Sequence, residues 1–162
     1  MMVKDAETAV IRSILCALPF FRELTPKELD CIIAIGRLVT YRKDVTLFKE
    51  GDPGEALYVV VEGSVRISKL VPGAKEETMA FIERGGCFGE MSLFDEFPRS
   101  ATVIAHEDCR VLFIDKQAFL EFVQNDPILT RKILWAFCRT LSVRLRETND
   151  RIVALFAVPR LY

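Results

Sequence analysis

The stretch FKEGDPGEALYVVVEGSVRI, Phe48–Ile67, carries two β-forming runs separated by Glu62-Gly63. ALYVVV and SVRISKL are short runs rich in valine and isoleucine, so both read as β-strands. Gly63 marks a tight reversal before SVRISKL, and EGDPGE just upstream supplies another turn. The same grammar extends outward. LVTYR, VTLF, ETMAFI, SATVIA and RVLFI are further strand candidates, broken by VPGAKE and ERGG. About eight strands between Arg37 and Ile114 predict a sandwich or jelly roll.

Helical patterns flank this region. Val10, Ile11, Ile14, Leu15 and Leu18 recur at helical spacing until Pro19. TPKELDCIIAIG holds a capping box, with Thr25 as cap, Pro26 at the first helical position, Glu28 as the reciprocal acid and Gly36 as terminator. After the strands, Asp115 caps a short helix bearing Phe119, Phe122 and Val123. Asp126 and Pro127 then start a long helix predicted to reach about Phe156. The expected fold is mostly β with flanking helices: an eight-stranded β-roll, jelly-roll-like, with N-terminal helices and a long C-terminal helix. Its parts are N-terminal helices over 1–36, the β-roll over 37–114 and C-terminal helices for a lid and dimerisation over 115–162, all one structural domain.

On the long helix Leu134, Cys138, Leu141, Leu145, Thr148, Ile152 and Leu155 alternate spacings of four and three, an a/d seam of about three heptads. Such a stripe can pack on its own barrel. Its length and flanking charge (RLRETNDR) favour a second copy of the same helix, giving a homodimer through Leu134, Leu141, Leu145, Ile152 and Leu155.

Composition narrows the function. The 162 residues are 51% hydrophobic with 12 phenylalanines, which suits a soluble globular chain. With 22 basic and 23 acidic residues the net charge is −1, without the basic excess of a nucleic-acid footprint. No signal-peptide architecture opens the chain, and no apolar run approaches the roughly 20 residues of a membrane span. The five dispersed cysteines form no C-x-x-C pair and read as reduced thiols packed as small hydrophobes, which points to the cytoplasm. The single histidine, His106, sits just past a strand, where nothing positions it as a base or ligand. Neither enzyme chemistry nor a metal or cofactor is expected.

One run remains to be explained. CFGEMSLFDEFPRSATVIA, Cys87–Ala105, sets an acid, small residues and an arginine close together in an otherwise apolar stretch. Glu90 and Arg99 could form a structural salt bridge, and spacing alone favours that reading. The ligand reading uses each group differently. Gly89 and Ser92 let backbone N–H groups approach an anion, assisted by a short helical turn beginning near Glu90. Arg99 offers a planar fork for phosphate oxygens, and ionised Glu90 accepts from a sugar hydroxyl. Together they describe a site for a ribose phosphate.

FGEMSLFDEFPRSATV resembles the phosphate-binding cassette of the cyclic nucleotide-binding domain family, in which catabolite activator protein and protein kinase A regulatory subunits are found. FKEGDPGEALYVVVEGSVRI resembles the family's glycine-punctuated strands, and the likeness covers roughly Leu18 to Arg151. The resemblance implies a β-roll with flanking helices and a regulatory role in signal transduction. It implies that Glu90 binds the ribose 2′-hydroxyl and Arg99 the cyclic phosphate. Ser100 adds a hydroxyl, while Gly89, Met91, Ser92 and Ala101 complete the phosphate and ribose site. Ile67, Met79 and Ala80 fall where the family walls the pocket, although ordinary strand core explains them equally well. RLRETND resembles the segment that contacts adenine across the dimer in the activator branch, which assigns Arg144, Thr148 and Asn149. Aligning from Pro127 instead shifts that register by about one helical turn. The implied ligand is cAMP rather than cGMP, with Ser100 compatible with either. The helix-turn-helix, inhibitory segment or membrane spans of particular branches find no counterpart in the sequence. The expectation is a sensor module with an unknown effector. The alternatives are a nucleotide-independent interaction β-roll, or a transcription regulator's sensor separated from its DNA-binding domain.

Overall fold

β3 (Ala56–Glu62) is buried along all of ALYVVV because its two faces meet two different layers. The computed structural model describes residues 5–70 and 76–157, apart from the side chains of Asp5, Leu155 and Ala157. Most of the VPGAKE turn and the side chain of Leu155 therefore lie outside the described residues. The other strands are β1 (Gly36–Tyr41), β2 (Thr46–Phe48), β4 (Ser64–Leu70), β5 (Glu76–Glu83), β6 (Cys87–Phe88), β7 (Thr102–Ala105) and β8 (Cys109–Asp115). They form two four-stranded sheets ordered β1-β8-β3-β6 and β2-β7-β4-β5, paired antiparallel.

One side of β3 presents Tyr58 and Val60 to the second sheet, where Val65, Val103 and Ala105, with Val111 of the neighbouring β8, complete an inter-sheet core. Its other side presents Leu57, Val59 and Val61 to the helices. These are α1 (Asp5–Ala17), α2 (Pro26–Ile35), α3 (Lys116–Gln124) and α4 (Pro127–Ala157). Ile11 and Leu15 of α1, Ile32 of α2, Phe119 of α3 and Leu129 and Ile133 of α4 fill that second core. This is the mostly β roll with N-terminal helices and a long C-terminal helix that the sequence pattern predicts.

Local signals set the helix ends. The Thr25 hydroxyl accepts from the Glu28 N–H, and a Glu28 carboxylate oxygen accepts from the Thr25 N–H at 2.6 Å, the reciprocal capping box. Asp115 caps α3 through the Ala118 N–H at 3.0 Å, and Asp126 accepts from the Ile128 and Leu129 N–H groups at the start of α4. Gly36 ends α2 in extended backbone and is itself the first residue of β1.

Several sequence expectations shift. The eighth strand is β6, two residues inside the run that carries the acid and the arginine, too short to show a period. SATVIA becomes strand only from Thr102. Cys109 is buried and Cys87 half-buried, but Cys16, Cys31 and Cys138 are exposed, so packing as small hydrophobes does not hold for those three. The α4 seam does not pack on its own barrel. The helix buries Leu129, Ile133 and Ala136 instead, a different stripe, and leaves Leu134 45%, Leu141 41%, Leu145 62% and Ile152 45% exposed. Among the described residues no helix is long and apolar enough to cross a membrane.

Candidate functional site

β6 ends at Phe88, and the chain must then turn sharply to pass under Arg99. Gly89 does this with φ +79, a left-handed conformation that costs a glycine little. A Cβ there would also lie 2.6 Å from Arg99 Nη1 and 2.9 Å from the Ala56 carbonyl oxygen. The bare backbone is what lets the guanidinium lie against it. A single 3-10 turn, Met91–Leu93, follows with Glu90 at its N-cap. The short turn predicted near Glu90 is present, but three residues carry almost no dipole, so attraction for an anion has to come from Arg99 and backbone N–H groups.

Arg99 is 4% exposed. Its Nη2 donates to the Ala56 carbonyl at 2.9 Å and its Nη1 to the Gly89 carbonyl at 3.2 Å, with Ser92 Oγ at 3.5 Å. The guanidinium lies 4.2 Å from the Phe48 ring centroid and 5.7 Å from that of Tyr58. Tyr58 in turn stacks on Phe88 at 5.0 Å. The Arg99 backbone is pinned from both sides by the EGDPGE turn, its N–H donating to Asp52 at 2.8 Å and its carbonyl accepting from Gly51 at 2.9 Å. Gly54 of that turn packs on Ser92, where a Cβ would come within 2.1 Å of the serine Cβ. The two glycine-punctuated motifs of the sequence thus build one structure.

The salt-bridge reading of Glu90 and Arg99 fails on this geometry. Among the described residues Arg99 forms no ion pair, and its Nε is buried without a hydrogen-bond partner. Glu90 pairs instead with Arg144 of α4, through Oε1 and Nη1. The carboxylate is 5% exposed as a residue yet keeps acceptor capacity for a hydroxyl. Burial draws the Arg99 guanidinium below its ordinary pKa, while Tyr58, Glu55, Glu90 and Asp52 pull the other way. A buried cation without a paired acid is uncommon and costly unless an anion joins it. Burial also pushes the neighbouring Cys87 thiol up to about 12, Glu90 adding to the shift, which keeps it protonated and unreactive at neutral pH.

These groups share a cavity of about 400 Å³. It brings together Gly89, Glu90, Met91, Ser92, Arg99, Ser100, Ala101, Ile67 and Arg144 from the sequence reading. Four other predicted residues lie outside it. β4 and β5 slip register so that Ile67 faces Ala80 and Ser68 faces Thr78, leaving Met79 as the unpaired residue of a bulge. Met79 and Ala80 are exposed, and Ile82 lines the cavity in their place. Thr148 and Asn149 are exposed on α4 beyond Arg144, and the Thr148 hydroxyl donates to the Arg144 carbonyl. Phe48, Val103, Asp95 and Phe97 also line the cavity and were not singled out from sequence as ligand contacts. Strand alternation could have found Val103, which faces Ile67 in register. Nothing local to Phe48 signals its contact with an arginine so far along the chain. Among the described residues no group of three or more His, Cys, Asp or Glu side chains could hold a metal ion.

Residues 38–126 match the cyclic nucleotide-binding domain family. The chain belongs to that family. Within it, the chain is 34% identical over 131 residues to the cyclic AMP receptor protein of Thermus thermophilus, covering 81% of this chain and 59% of that protein. It is 32% identical over 101 residues to a cAMP-dependent protein kinase regulatory subunit of Colletotrichum orbiculare, covering 62% of this chain and 25% of that protein. A cyclic nucleotide-binding domain from Methylobacillus flagellatus superposes with a TM-score of 0.80 at 28% identity, covering 98% of this chain and 88% of that one. The chain therefore spans about three fifths of the first of these regulators. The relatives are named as a receptor protein, a kinase regulatory subunit and a cyclic nucleotide-binding domain, and the fold of the last is the one seen here.

Proposed function

We propose that this domain binds a cyclic nucleotide, cAMP in preference to cGMP, and works as a regulatory sensor that passes ligand binding to its C-terminal helix. The observation that carries the reading is Arg99: 4% exposed, without an acid partner among the described residues, with an orphaned Nε, at the wall of a cavity of about 400 Å³. A cyclic phosphate supplies the missing anion, with Ser100 adding a hydroxyl and the Gly89–Ser92 backbone adding N–H groups. Glu90 accepts from the ribose 2′-hydroxyl while Arg144 holds its other side. Ile67, Ile82 and Val103 give the base and sugar an apolar wall. The preference for cAMP is supported by the names of the relatives above. Transmission is supported by Arg144, which joins the ribose-binding acid directly to α4.

Calorimetric titration of nucleotide-free protein with cAMP, cGMP and a cyclic dinucleotide tests the reading. Saturable binding of cAMP, tighter than of cGMP, is expected. Heat from none of them would leave a β-roll that acts through a protein partner without ligand.

A further inference from the structure

The segment from Asp95 to Pro98 lines one side of the cavity. Its ends are fixed. The Phe94 ring packs on Phe137 of α4 with centroids 4.3 Å apart, and the Arg99 N–H donates to Asp52 at 2.8 Å. Between those ends, among the described residues, one hydrogen bond reaches the segment from another element: Lys116 Nζ donates to the Asp95 carbonyl at 2.7 Å. The Asp95 carboxylate then accepts from the Phe97 N–H at 3.2 Å, while Glu96, Phe97 and Pro98 are exposed. Asp95 is thus the point at which an otherwise exposed loop is held.

Lys116 is the first residue of α3, directly after its cap Asp115. A cation there faces the positive end of the helix, the wrong sign for the dipole. The helix gains nothing from this charge, and its cap is already supplied by Asp115. Lysine also loses much rotamer freedom when held in one geometry. The gain that offsets this lies in the loop.

We propose that Lys116 is a positioning residue for the ligand-binding loop, its ammonium holding the Asp95 carbonyl against the start of α3. The proposal rests on the cyclic-nucleotide reading above. Lys116 acts through the loop: a segment ordered in advance loses less entropy when ligand arrives, so the tether tightens binding by preorganisation. It also links the loop to α3 and so to α4 behind it.

The test compares wild type, Lys116→Met and Lys116→Arg by calorimetry with cAMP, thermal unfolding and 15N relaxation of Glu96 and Phe97. Lys116→Met is expected to bind cAMP about five- to tenfold more weakly, because the cost of ordering the loop then falls on the binding step. Its thermal midpoint should be unchanged or raised, because a mismatched charge has left the helix end. Its Glu96 and Phe97 amides should gain nanosecond motion. Lys116→Arg, able to reach the same carbonyl, should recover most of the affinity. Wild-type affinity in Lys116→Met overturns the proposal. So does weaker binding with a lowered midpoint and an unchanged loop, which would make Lys116 a helix-stabilising residue. If wild type itself takes up no cyclic nucleotide, the functional reading fails and ligand-free relaxation decides the tether: mobile Glu96 and Phe97 in Lys116→Met support it, and unchanged amides overturn it.

Discussion

Arg99 serves two purposes that its substitutions separate. Through Ala56 and Gly89 it ties β3 to the turn after β6, and in the proposed function its positive charge holds the anion of the ligand. Arg99→Ala strands two carbonyls, each costing about 1–3 kcal/mol if left unpaired. Unfolding stability should therefore fall by roughly 2 kcal/mol or more, and cAMP binding should vanish. Arg99→Lys keeps the charge but cannot span both carbonyls or lie flat on Phe48, so affinity should drop at least about tenfold with a smaller stability loss. Denaturant unfolding and calorimetry on both variants check this, and unchanged affinity in Arg99→Lys would remove the fork from the binding account. Glu90 is tested by Glu90→Gln, in which a charge-assisted bond worth about 1.5–3 kcal/mol is lost to cAMP. The loss should shrink for 2′-deoxy-cAMP, which has no hydroxyl to donate; equal losses would make Glu90 only an organiser of the loop. At this scale the sequence showed which residues are chemically unusual, because Gly-Glu and a lone arginine stand out in an apolar run. It did not show that Glu90 would pair with Arg144 rather than Arg99. That choice is made by a helix 54 positions away, and no local pattern reports it.

Caps, turns and alternation made most of the elements readable, because each depends on residues within a few positions of one another. The capping box of α2 is the clearest case, and it also reaches beyond its own helix. Lys132 of α4 binds both Glu28 carboxylate oxygens, at 2.9 and 3.0 Å. Burial pushes the Glu28 pKa up, yet the bonds from Lys132 and Thr25 outweigh it and leave the value below the ordinary 4.5. A carboxyl whose pKa is lower folded than unfolded adds stability above its unfolded value, and that stability is lost as pH falls through the folded value. Glu28→Gln should therefore cost about 1 kcal/mol near neutral pH, the usual worth of a cap. The difference from wild type should close as pH falls through the folded value, where wild-type Glu28 is itself protonated. Thermal midpoints of both proteins at neutral pH and down through the acid range decide it, and a gap that persists in acid would mean Glu28 acts by packing instead of charge. What stayed illegible were β6, with only two residues, and the bulge at Met79. Met79 and Ala80 were expected in the wall by resemblance, and a position-by-position likeness does not report a bulge; Ile82 lines the cavity instead.

Over the whole molecule, the α4 periodicity was legible but its packing partner was not, since a heptad stripe fits a barrel or a second helix equally well. The structure takes the barrel away as an answer: Leu129, Ile133 and Ala136 make that contact, and from Leu141 onward every described side chain of α4 is exposed. The helix is 31 residues long, about 46 Å at 1.5 Å per residue, and slightly over half of it, from Leu141 on, stands away from the barrel apart from the Arg144–Glu90 pair. The leucines of the seam are about half exposed, so burying each is worth about 1 kcal/mol, and the gain is doubled by the second copy of the stripe in a dimer. We therefore expect a parallel homodimer through Leu134, Leu141, Leu145 and Ile152. Arg144 sits on the same helix between Leu141 and Leu145 while holding Glu90, so a nucleotide that engages Glu90 and a partner that engages the seam act on one element. Such coupling is reciprocal: if cAMP strengthens dimerisation, the dimer must bind cAMP more tightly by the same factor. Sedimentation at several concentrations, with and without cAMP, measures one side of that cycle, and calorimetry on wild type and on the Leu141→Asp, Leu145→Asp double variant measures the other. The double variant should be monomeric and should bind cAMP with an altered affinity, in the direction set by the dimer's response to cAMP. A wild type that stays monomeric at tens of micromolar would end the dimer proposal, and a dimer indifferent to cAMP would leave a binder whose long helix carries no signal.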